Sequence, residues 1–559
     1  MTTSQTNTEP SRGPSIDPIL TEVIFNQVLG VAEEMASTLI RTAYSPNVKQ
    51  RADCSTAVLG LAGEVLAQAP RIPIHLGSMI GAVQQLLKRH PLEVFRPGDM
   101  FIANDPYSGG GQHLPDINMI APVFVGRKPV AFVANIAHHA DVGGMVAGSE
   151  AVICRNIFQE GLRLPPVQVV REGNIVTDIS SIVTLNSRTP EERRGDLLAQ
   201  IAANRVGVER LSQCYQKHGC ELVERSLEAY LDATERRFRA VLSGIPDSRI
   251  AVEDFLDPDI YSPAERIPIR MTLEKCGNRL IFDFDGTSRE LTSARNVPQA
   301  ALYSTIYCVS KMLLDPGLAP NSGYFRAIEV KAPKGSVLNP SDGSAVGARA
   351  LACAVIGDVV ASAISEMVPE RALAGGGPHH QVIFSGKYPN GKIWVNYETF
   401  AGAQGARPYK DGADAVRIHA SGASNLPVEA LEQVYPLRVV RYELRDNSGG
   451  LGRQRGGMGV VRQYQALTDM TISVAAERQT VAARGVQGGK DGSLGEFVLN
   501  PGTNGERRLK AAVGDFPLSA GDVLEICTPG GGGFGSVDER DRTAFSRDCT
   551  EGRVSAQAY

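Results

Sequence analysis

FIANDPYSGGGQHLPDINMIAPVFVGRKPVAFVANIAHHADVGG (residues 101–144) alternates short apolar runs with turns that are rich in glycine and proline. FIANDP predicts a strand with its exit turn, and YSGGGQHLPD predicts a loop. INMIAPVFV, GRKP and VAFVANIA then predict a strand, a turn and a second strand, because apolar runs bounded by turn residues are typical of a β-hairpin. If this hairpin folds about Arg127 and Lys128, residues near 138 lie opposite residues near 116.

Imidazole and carboxylate side chains collect at the open end of this hairpin. His113 and Asp116 are three residues apart, in a turn that Pro115 and the preceding glycines keep from being a regular helix. His138 and His139 follow the second strand. Because strand side chains alternate between faces, only one of these two can point at the turn. The register is uncertain by one residue, so the hairpin alone leaves both open.

These side chains, with Asp53 upstream, offer a mixed nitrogen and oxygen ligand set. Two imidazoles and one or two carboxylates suit Zn²⁺, Mn²⁺ or Fe²⁺. Three of the nine histidines fall in this one hairpin, which favours a metal site over the alternative that they only cap turns or bond to backbone. A metal ion with an open position would lower the pKa of a bound water towards neutrality and generate a hydroxide nucleophile.

Helical patterns lie on both sides of the hairpin. Apolar residues at three- and four-residue spacing over residues 18–44 predict an amphipathic helix, and a second helix over 75–88 is expected to serve in packing. Residues 190–243 predict two long helices that break near Gly219. The N-terminal and central segments are therefore expected to be helical.

The remaining chain predicts strands and further helices. IPIRMTLEKCGNRLIFDFDG (267–286) is a hairpin candidate, residues 297–314 and 350–367 predict helices, and the last 120 residues predict an all-β region with tight turns. The expected fold class is α+β, a large mixed multi-domain chain with a hairpin-borne metal site and a β-rich C-terminal region. The expected divisions are a disordered tail (1–16), an N-terminal metal-site region with long helices (17–250), a mixed α/β region (251–430), a β-rich region (431–537) and a tail (538–559).

Composition excludes several classes of function. The chain has 559 residues with a net charge of −4 and no basic stretch, which argues against a nucleic-acid partner or an anionic membrane surface. No apolar run reaches the roughly 20 residues of a membrane helix. Nine scattered cysteines without a CxxC pair indicate reduced thiols and a cytoplasmic protein rather than a disulfide framework.

Two glycine-rich motifs are weaker candidates for function. GGGPHH (375–380) could line a substrate pocket, although a structural turn is the favoured interpretation. PGGGGFG (529–535) lacks the Lys-Ser/Thr pair and the following helix of a phosphate-binding loop, and is interpreted as a tight turn. No GxSxG nucleophile motif occurs.

Five stretches together resemble the hydantoinase B/oxoprolinase family, over about residues 17 to 537. They are DPILTEVIFNQVLGVAEEMASTLIRTAYSPNVKQRADCSTAV (17–58), FIANDPYSGGGQHLPDINMIAPVF (101–124), ANIAHHADVGG (134–144), GDLLAQIAANRVGVERL (195–211) and TPGGGGFG (528–535). The family includes ATP-dependent hydantoinases, lactamases such as caprolactamases, fused 5-oxoprolinases, and acetone and acetophenone carboxylases.

The resemblance implies a site and a partner. The implied metal ligands are Asp53, His113, Asp116 and His138, with a divalent ion such as Zn²⁺, Mn²⁺ or Fe²⁺. The implied catalytic groups are His113, Asp116, His138 and His139, and His139 is expected beside the ligands as a pocket residue. The implied partner is a hydantoinase A type subunit of actin-like ATPase fold, which binds ATP and Mg²⁺ in a heterotetramer with two copies of each subunit.

The function expected from the resemblance is that of the metal-binding subunit of a two-component, ATP-dependent cyclic amide hydrolase of hydantoinase, oxoprolinase or lactamase type. The partner would phosphorylate the substrate, and metal-activated water would attack it. One alternative is a subunit of an ATP-dependent ketone carboxylase, which the shorter length of this chain disfavours. The other is a non-catalytic scaffold for the ATPase subunit.

Overall fold

The structure is a computed structural model, and it describes residues 17–419 and 421–555. The predicted tail over 1–16 lies outside the described residues. Within them the chain forms both helices and four β-sheets, which agrees with the predicted α+β class. The helices are α1 (Pro18–Thr42), α2 (Pro46–Lys49), α3 (His75–Arg89), α4 (Thr177–Leu185), α5 (Pro190–His218), α6 (Cys220–Ser243), α7 (Gln299–Leu314), α8 (Ser322–Phe325), α9 (Arg349–Met367), α10 (Val428–Val434) and α11 (Arg542–Thr550).

The long predicted helices are confirmed, and local sequence accounts for their ends. Helix α1 begins where the Asp17 carboxylate accepts a hydrogen bond from the backbone N–H of Ile19 (2.9 Å), with a proline at the first helical position. Helices α5 and α6 are separated by Gly219 alone. Its φ of 85° lies in the left-handed region, which glycine adopts without strain.

The first sheet carries the predicted hairpin. Its antiparallel strands run in the order β2-β1-β5-β4-β3-β6-β7. The chain turns at Gly126 and Arg127, one residue earlier than predicted, because β4 ends at residue 125 and β5 begins at 128. Helices α1, α5 and α6 cover one face of the sheet and α3 covers the other. The strands are β1 (Cys54–Leu59), β2 (Val65–Gln68), β3 (Met100–Ala103), β4 (Asp116–Val125), β5 (Lys128–His138), β6 (Val167–Arg171) and β7 (Asn174–Ile175).

A second sheet follows in the middle of the chain and packs against α7 and α9. The predicted hairpin over 267–286 is confirmed as two antiparallel strands, and the final strand joins its neighbour in parallel. Both predicted helices in this part of the chain are also present. The strands, in the order β11-β10-β9-β8, are β8 (Ser248–Leu256), β9 (Ile267–Cys276), β10 (Arg279–Asp283) and β11 (Ile328–Lys331).

Two helices, α1 and α9, are long and apolar enough to cross a membrane by length and composition alone, which the sequence did not predict. Helix α9 buries most of its residues between α7 and the second sheet. Helix α1 buries one apolar face against the first sheet and its covering helices. Such burial is typical of core helices in a soluble multi-domain protein.

The C-terminal third is mostly β and consists of two sheets around a shared apolar core, and its strands begin at residue 380, earlier than the predicted 431. The first, in the order β13-β12-β16-β19, contains β12 (His380–Lys387), β13 (Ile393–Phe400), β16 (Met470–Ala475) and β19 (Ala512–Leu518). The second, in the order β14-β15-β20-β17-β18, contains β14 (Leu437–Leu444), β15 (Val460–Ala466), β17 (Glu496–Leu499), β18 (Arg507–Leu509) and β20 (Val523–Cys527).

Two local features complete this region. A Cβ at Gly530 would lie 1.7 Å from the carbonyl oxygen of Ser448, so the glycine-rich motif serves close backbone packing. Residues 542–550, placed by sequence in a C-terminal tail, form helix α11 instead. The buried Asp548 carboxylate on this helix accepts a hydrogen bond from Nε of Arg540 (3.1 Å), which fixes the helix to the domain.

Candidate metal centre

His113, Asp116 and His138 meet at the open end of the β4–β5 hairpin. Asp116 begins β4 and His138 ends β5, and the two residues are directly opposite in the register. Opposed residues of antiparallel strands point to the same face, so both side chains face the loop that carries His113. One ligand atom from each residue can be chosen so that all three atoms lie within 4.8 Å of one another. The three side chains are buried and form a possible metal-binding triad.

The Asp116 carboxylate lies between the two imidazoles. Its Oδ2 atom is 3.0 Å from Nε2 of His113, and its Oδ1 atom is 3.3 Å from Nδ1 of His138. Arg349, at the start of α9, donates a hydrogen bond to Oδ2 (2.8 Å). Burial alone would raise the pKa of Asp116, but His113, His75 and Arg349 hold that pKa well below its usual range. The group is therefore ionised at neutral pH.

Glu150 fixes the orientation of the His113 ring. Its Oε1 atom lies 2.6 Å from Nδ1 of His113, which leaves Nε2 facing Asp116. A carboxylate that holds the far nitrogen of an imidazole is the usual arrangement behind a metal-binding histidine. Burial and Arg349 lower the pKa of His113, but Asp116 and Glu150 outweigh them and raise it to about 9. The site therefore attracts positive charge at Nε2.

The donor set fits a divalent ion. Within the described part of the chain, the Nε2 atom of His138 is buried and has no hydrogen-bond partner, while that of His113 faces the Asp116 carboxylate at 3.0 Å. A buried polar atom rarely lacks a hydrogen-bond partner unless a ligand binds it. Two imidazole nitrogens with a carboxylate between them are ligands of the kind that Zn²⁺, Mn²⁺ and Fe²⁺ accept.

His75 belongs to the site, although the sequence indicated only a packing role for its helix. It is the first residue of α3, and its Nε2 atom lies 3.7 Å from Oδ1 of Asp116 and 3.7 Å from Oδ1 of Asp53. Its Nδ1 atom is 3.1 Å from the hydroxyl of Ser55. No spacing rule connects His75 with the QHLPD turn, so only the folded chain reveals the contact.

Asp53 lies just before β1 and lines the same cavity as the triad. It is outside the group of three that share a centre. Its carboxylate lies 3.7 Å from Nε2 of His75, and its carbonyl oxygen accepts a hydrogen bond from the backbone N–H of His138 (3.0 Å). Its role as a metal ligand stays a prediction. Asp53 lies beside the triad, and the imidazole of His75 connects its carboxylate to that of Asp116.

His139 points to the opposite face of the sheet. Its Nε2 atom lies 3.0 Å from Oε1 of Gln200 on α5, and the ring is fully buried there. The one-residue ambiguity of the predicted hairpin is thus resolved in favour of His138 as the residue that faces Asp116. The His139 ring therefore faces Gln200 and not the triad, and its predicted catalytic role stays a prediction.

The triad opens into a cavity whose far wall comes from the C-terminal half of the chain. Tyr397 on β13 packs its ring 4.5 Å from that of His138. His379, from the GGGPHH motif, also lines this cavity, whereas His380 is turned against Phe497 with ring centroids 5.1 Å apart. One histidine of the motif therefore faces the cavity, as the less favoured interpretation of the sequence proposed. His419 lies in the same wall.

Residues 17–537 match the protein family described as hydantoinase B/oxoprolinase. A protein of Pseudomonas sp. strain NS671, provisionally named as the B-type component of a D-/L-hydantoinase, is 31% identical over 97% of this chain and 94% of its own length. 5-Oxoprolinase 1 of Arabidopsis thaliana is 33% identical over 92% of this chain, and the match spans only 41% of that longer protein.

Two solved structures share the fold. The ATP-dependent caprolactamase of Pseudomonas jessenii superposes with a TM-score of 0.90 at 26% identity, over 97% of this chain and 95% of that chain. A nucleotide-free acetone carboxylase superposes with a TM-score of 0.87 at 19% identity, over 97% of this chain and 78% of that chain. At that lower identity the likeness shows the fold alone.

Proposed function

Because this chain belongs to the hydantoinase B/oxoprolinase family, we propose that it is the metal-binding subunit of a two-component, ATP-dependent cyclic amide hydrolase. The single observation that carries the proposal is the buried cluster of His113, Asp116 and His138 at a cavity. The names of relatives, a hydantoinase component, a 5-oxoprolinase and a caprolactamase, support hydrolysis of a cyclic amide.

The second component is proposed to be an actin-like ATPase subunit of hydantoinase A type, which binds ATP and Mg²⁺. The relative named as one component of a hydantoinase supports a partner on a separate chain. The assembly is proposed to be a cytoplasmic heterotetramer with two copies of each subunit. An amide carbonyl is a poor electrophile because its nitrogen donates into it, and phosphorylation of the amide oxygen by the partner would create a good leaving group.

The metal, proposed as Zn²⁺, Mn²⁺ or Fe²⁺, would supply a Lewis acid that lowers the pKa of water and stabilises developing negative charge. The protein holds the ligands in place. Asp116 spaces the two imidazoles, and Arg349 fixes the carboxylate through a 2.8 Å hydrogen bond. Glu150 accepts a hydrogen bond from Nδ1 of His113, so that Nε2 is the nitrogen that would release its proton and bind an ion. Tyr397 restricts the ring of His138.

Co-expression with the ATPase subunit tests the proposal. Ring opening and phosphate release are measured with hydantoin, 5-oxoproline and caprolactam, and separately with acetone or acetophenone plus bicarbonate. We expect phosphate release that depends on a cyclic amide. Phosphate release with a ketone and bicarbonate, but with none of the cyclic amides, would show that the enzyme is a carboxylase and not a hydrolase.

Variants test the site itself. His113→Ala and His138→Ala are expected to lose both bound metal, measured by elemental analysis, and ring opening. His218→Ala, at the partly exposed end of α5, is the control and is expected to keep both. Full activity in both triad variants would mean that the cluster is structural and that the chain acts as a scaffold.

A further inference from the structure

Two arginines from distant segments converge on one threonine in the cavity wall. Arg51, which follows α2, donates a hydrogen bond of 2.5 Å to the hydroxyl oxygen of Thr399 on β13. Arg417, in the loop after β13, donates to the same oxygen and to the Thr399 carbonyl (2.8 Å). Arg417 and Thr399 line the cavity that contains the triad.

Neither guanidinium has a carboxylate within 4.0 Å among the residues that the structure describes. Arg51 donates instead to Oδ1 of Asn47 (2.9 Å) and to the carbonyl oxygen of Tyr397 (2.6 Å). Arg417 donates its third hydrogen bond to the hydroxyl of Ser421 (3.3 Å). Neutral oxygens satisfy some donors of both groups, but they do not neutralise the two charges.

Arg51 is buried and Arg417 is partly buried, and fully buried arginines elsewhere in the chain are paired with acids. Arg295 lies 2.5 Å from Glu477, and Arg478 lies 2.7 Å from Asp254. Burial of a cation without such a partner costs free energy. Burial and the charge of Arg51 lower the pKa of Arg417 to about 10, although the more distant carboxylates of Asp53 and Glu398 act to raise it. An anionic ligand in the cavity would therefore supply the counter-charge that these two guanidinium groups lack.

The wall presents hydrogen-bond donors to the cavity. The Thr399 oxygen accepts from both arginines, so its own O–H is available to donate elsewhere. A guanidinium beside a hydroxyl donor matches an oxyanion, since charge-assisted hydrogen bonds from arginine to phosphate or carboxylate are short and strong.

One aromatic ring separates this wall from the proposed metal centre. The Tyr397 ring lies 4.5 Å from the ring of His138, and the guanidinium carbon of Arg51 lies 5.1 Å from the centre of the Tyr397 ring. Asn47 links the two regions as well, because it accepts from Arg51 and donates to the carbonyl oxygen of His138 (2.7 Å). An anion at Arg417 would therefore lie in the same cavity as a group at the triad.

We propose that Arg417 and Thr399, with Arg51 behind them, form an oxyanion subsite that holds the anionic group of the substrate beside the triad. The inference rests on the proposed function for the identity of that substrate. The oxyanion comes from one of two sources, the phosphoryl group that the ATPase partner adds or a carboxylate that the cyclic amide itself carries. Both present the same oxygen acceptors to Arg417.

Anion binding by the metal-loaded full chain tests the subsite without the partner subunit. Calorimetric titration with inorganic phosphate and with acetate is compared for the wild type, Arg417→Met and Arg417→Lys. We expect the better-bound anion to lose about 10- to 150-fold in affinity in Arg417→Met, the range for hydrogen bonds to charged groups. Arg417→Lys is expected to recover part of that affinity.

The preferred anion identifies the source. Phosphate that binds more tightly than acetate and depends on Arg417 points to the phosphoryl group, and the reverse order points to a substrate carboxylate. Affinity for both anions within twofold of the wild type in Arg417→Met would overturn the proposal, because any anion bound would then be held by the metal alone.

Measurements of Tm distinguish a variant that has lost the anion site from one that has unfolded. Arg417→Met leaves no carboxylate without its partner, so we expect its Tm to equal or exceed that of the wild type. Arg295→Met, the matched buried control, strands Glu477 and is expected to melt earlier. Thr399→Val keeps both arginine charges and should weaken anion binding about 3- to 10-fold, the value of a typical hydrogen bond. If Arg417→Met fails to fold, Arg417→Lys and Thr399→Val decide, and wild-type affinity in both would overturn the subsite.

The two proposals fail in different experiments. Absence of ATP-dependent ring opening in the wild-type complex would reject the proposed function, yet phosphate or acetate binding that depends on Arg417 would stand. Ring opening with unchanged anion binding in Arg417→Met would reject the subsite and leave the hydrolase intact.

Discussion

Replacement of Glu150 by glutamine tests how the site prepares His113 for a metal ion. The substitution keeps the shape of the side chain and removes its charge. In the wild type, Glu150 Oε1 lies 2.6 Å from Nδ1 of His113, and Oε2 accepts from Nε2 of Gln381 (2.5 Å). A glutamine can keep both contacts if Gln381 rotates its amide, so the variant is expected to fold. What it loses is the negative charge that holds the proton on Nδ1 and strengthens Nε2 as a ligand.

The expected loss follows from that one contact. A hydrogen bond of this length with an ionised acceptor contributes about 1.5 to 3 kcal/mol, which corresponds to roughly 10- to 150-fold in an equilibrium constant. Removal of outer partners of metal ligands typically lowers metal affinity by about 10- to 100-fold. We therefore expect Glu150→Gln to bind a divalent ion about 10- to 100-fold more weakly than the wild type.

Chelator competition with the full-length chain, with bound metal counted by elemental analysis, measures this affinity. His139→Gln is the matched control, because His139 adjoins His138 in sequence, is equally buried and faces α5 instead of the triad. The control is expected to stay within about threefold of the wild type, within the range of minor packing effects. Wild-type affinity in Glu150→Gln, combined with loss of metal in His113→Ala, would refute the role assigned to Glu150.

Three further predictions concern stability. Burial raises the pKa of Glu160 to about 8 in the folded chain, so the folded state holds this proton more tightly than the unfolded state does. The free energy of unfolding should therefore fall by up to about 5 kcal/mol as pH rises from 4.5 to 8. Glu160→Gln should flatten that part of a plot of Tm against pH, and an unchanged slope would contradict the raised pKa. Arg478→Met removes the arginine that the buried Asp254 and Asp358 share, and leaves them, among the described residues, only Arg484 (3.5 Å) and His419 (2.7 Å) as charged partners. The loss should be about 3 kcal/mol in chemical denaturation, whereas a loss below about 1 kcal/mol would show that those remaining partners suffice. Gly77→Ala would place a Cβ 2.1 Å from a carbonyl oxygen of α7 and should lower the unfolding free energy by about 1 to 3 kcal/mol, which thermal melting can check against the wild type.

Local sequence predicts the hairpin but does not determine the register of its two strands. The alternation of apolar runs and turns is a property of neighbouring residues, so β4 and β5 could be predicted from it. The choice between His138 and His139 depends on a single-residue slip, which reverses the face of every side chain. In the structure, the turn at Gly126 and an irregularity between Val123 and Phe124 set the pairing of the strands, and no composition rule would have supplied both.

The rest of the site comes from tertiary packing. Glu150 lies in a loop after β5, Arg349 begins α9, and Tyr397 lies on β13, and each contacts a member of the triad or its neighbour. None stands at a fixed spacing from the hairpin, so no periodicity predicts the contact. The short helices α10 and α11 also escaped prediction because one or two turns give too few residues for a clear helical pattern.

The charges around the cavity explain why the two proposals belong together. At one end, Asp116 and Glu150 create a negative field that raises the pKa of His113 to about 9 and favours a cation. At the other end, Arg51 and Arg417 bring two positive charges to Thr399 with no carboxylate in contact among the described residues. Burial of a charge costs less free energy when a counter-charge lies beside it. A molecule with an oxyanion at one end and an oxygen that binds the metal at the other would satisfy both ends at once, which a neutral cyclic amide without an added phosphoryl group or a carboxylate of its own could not do.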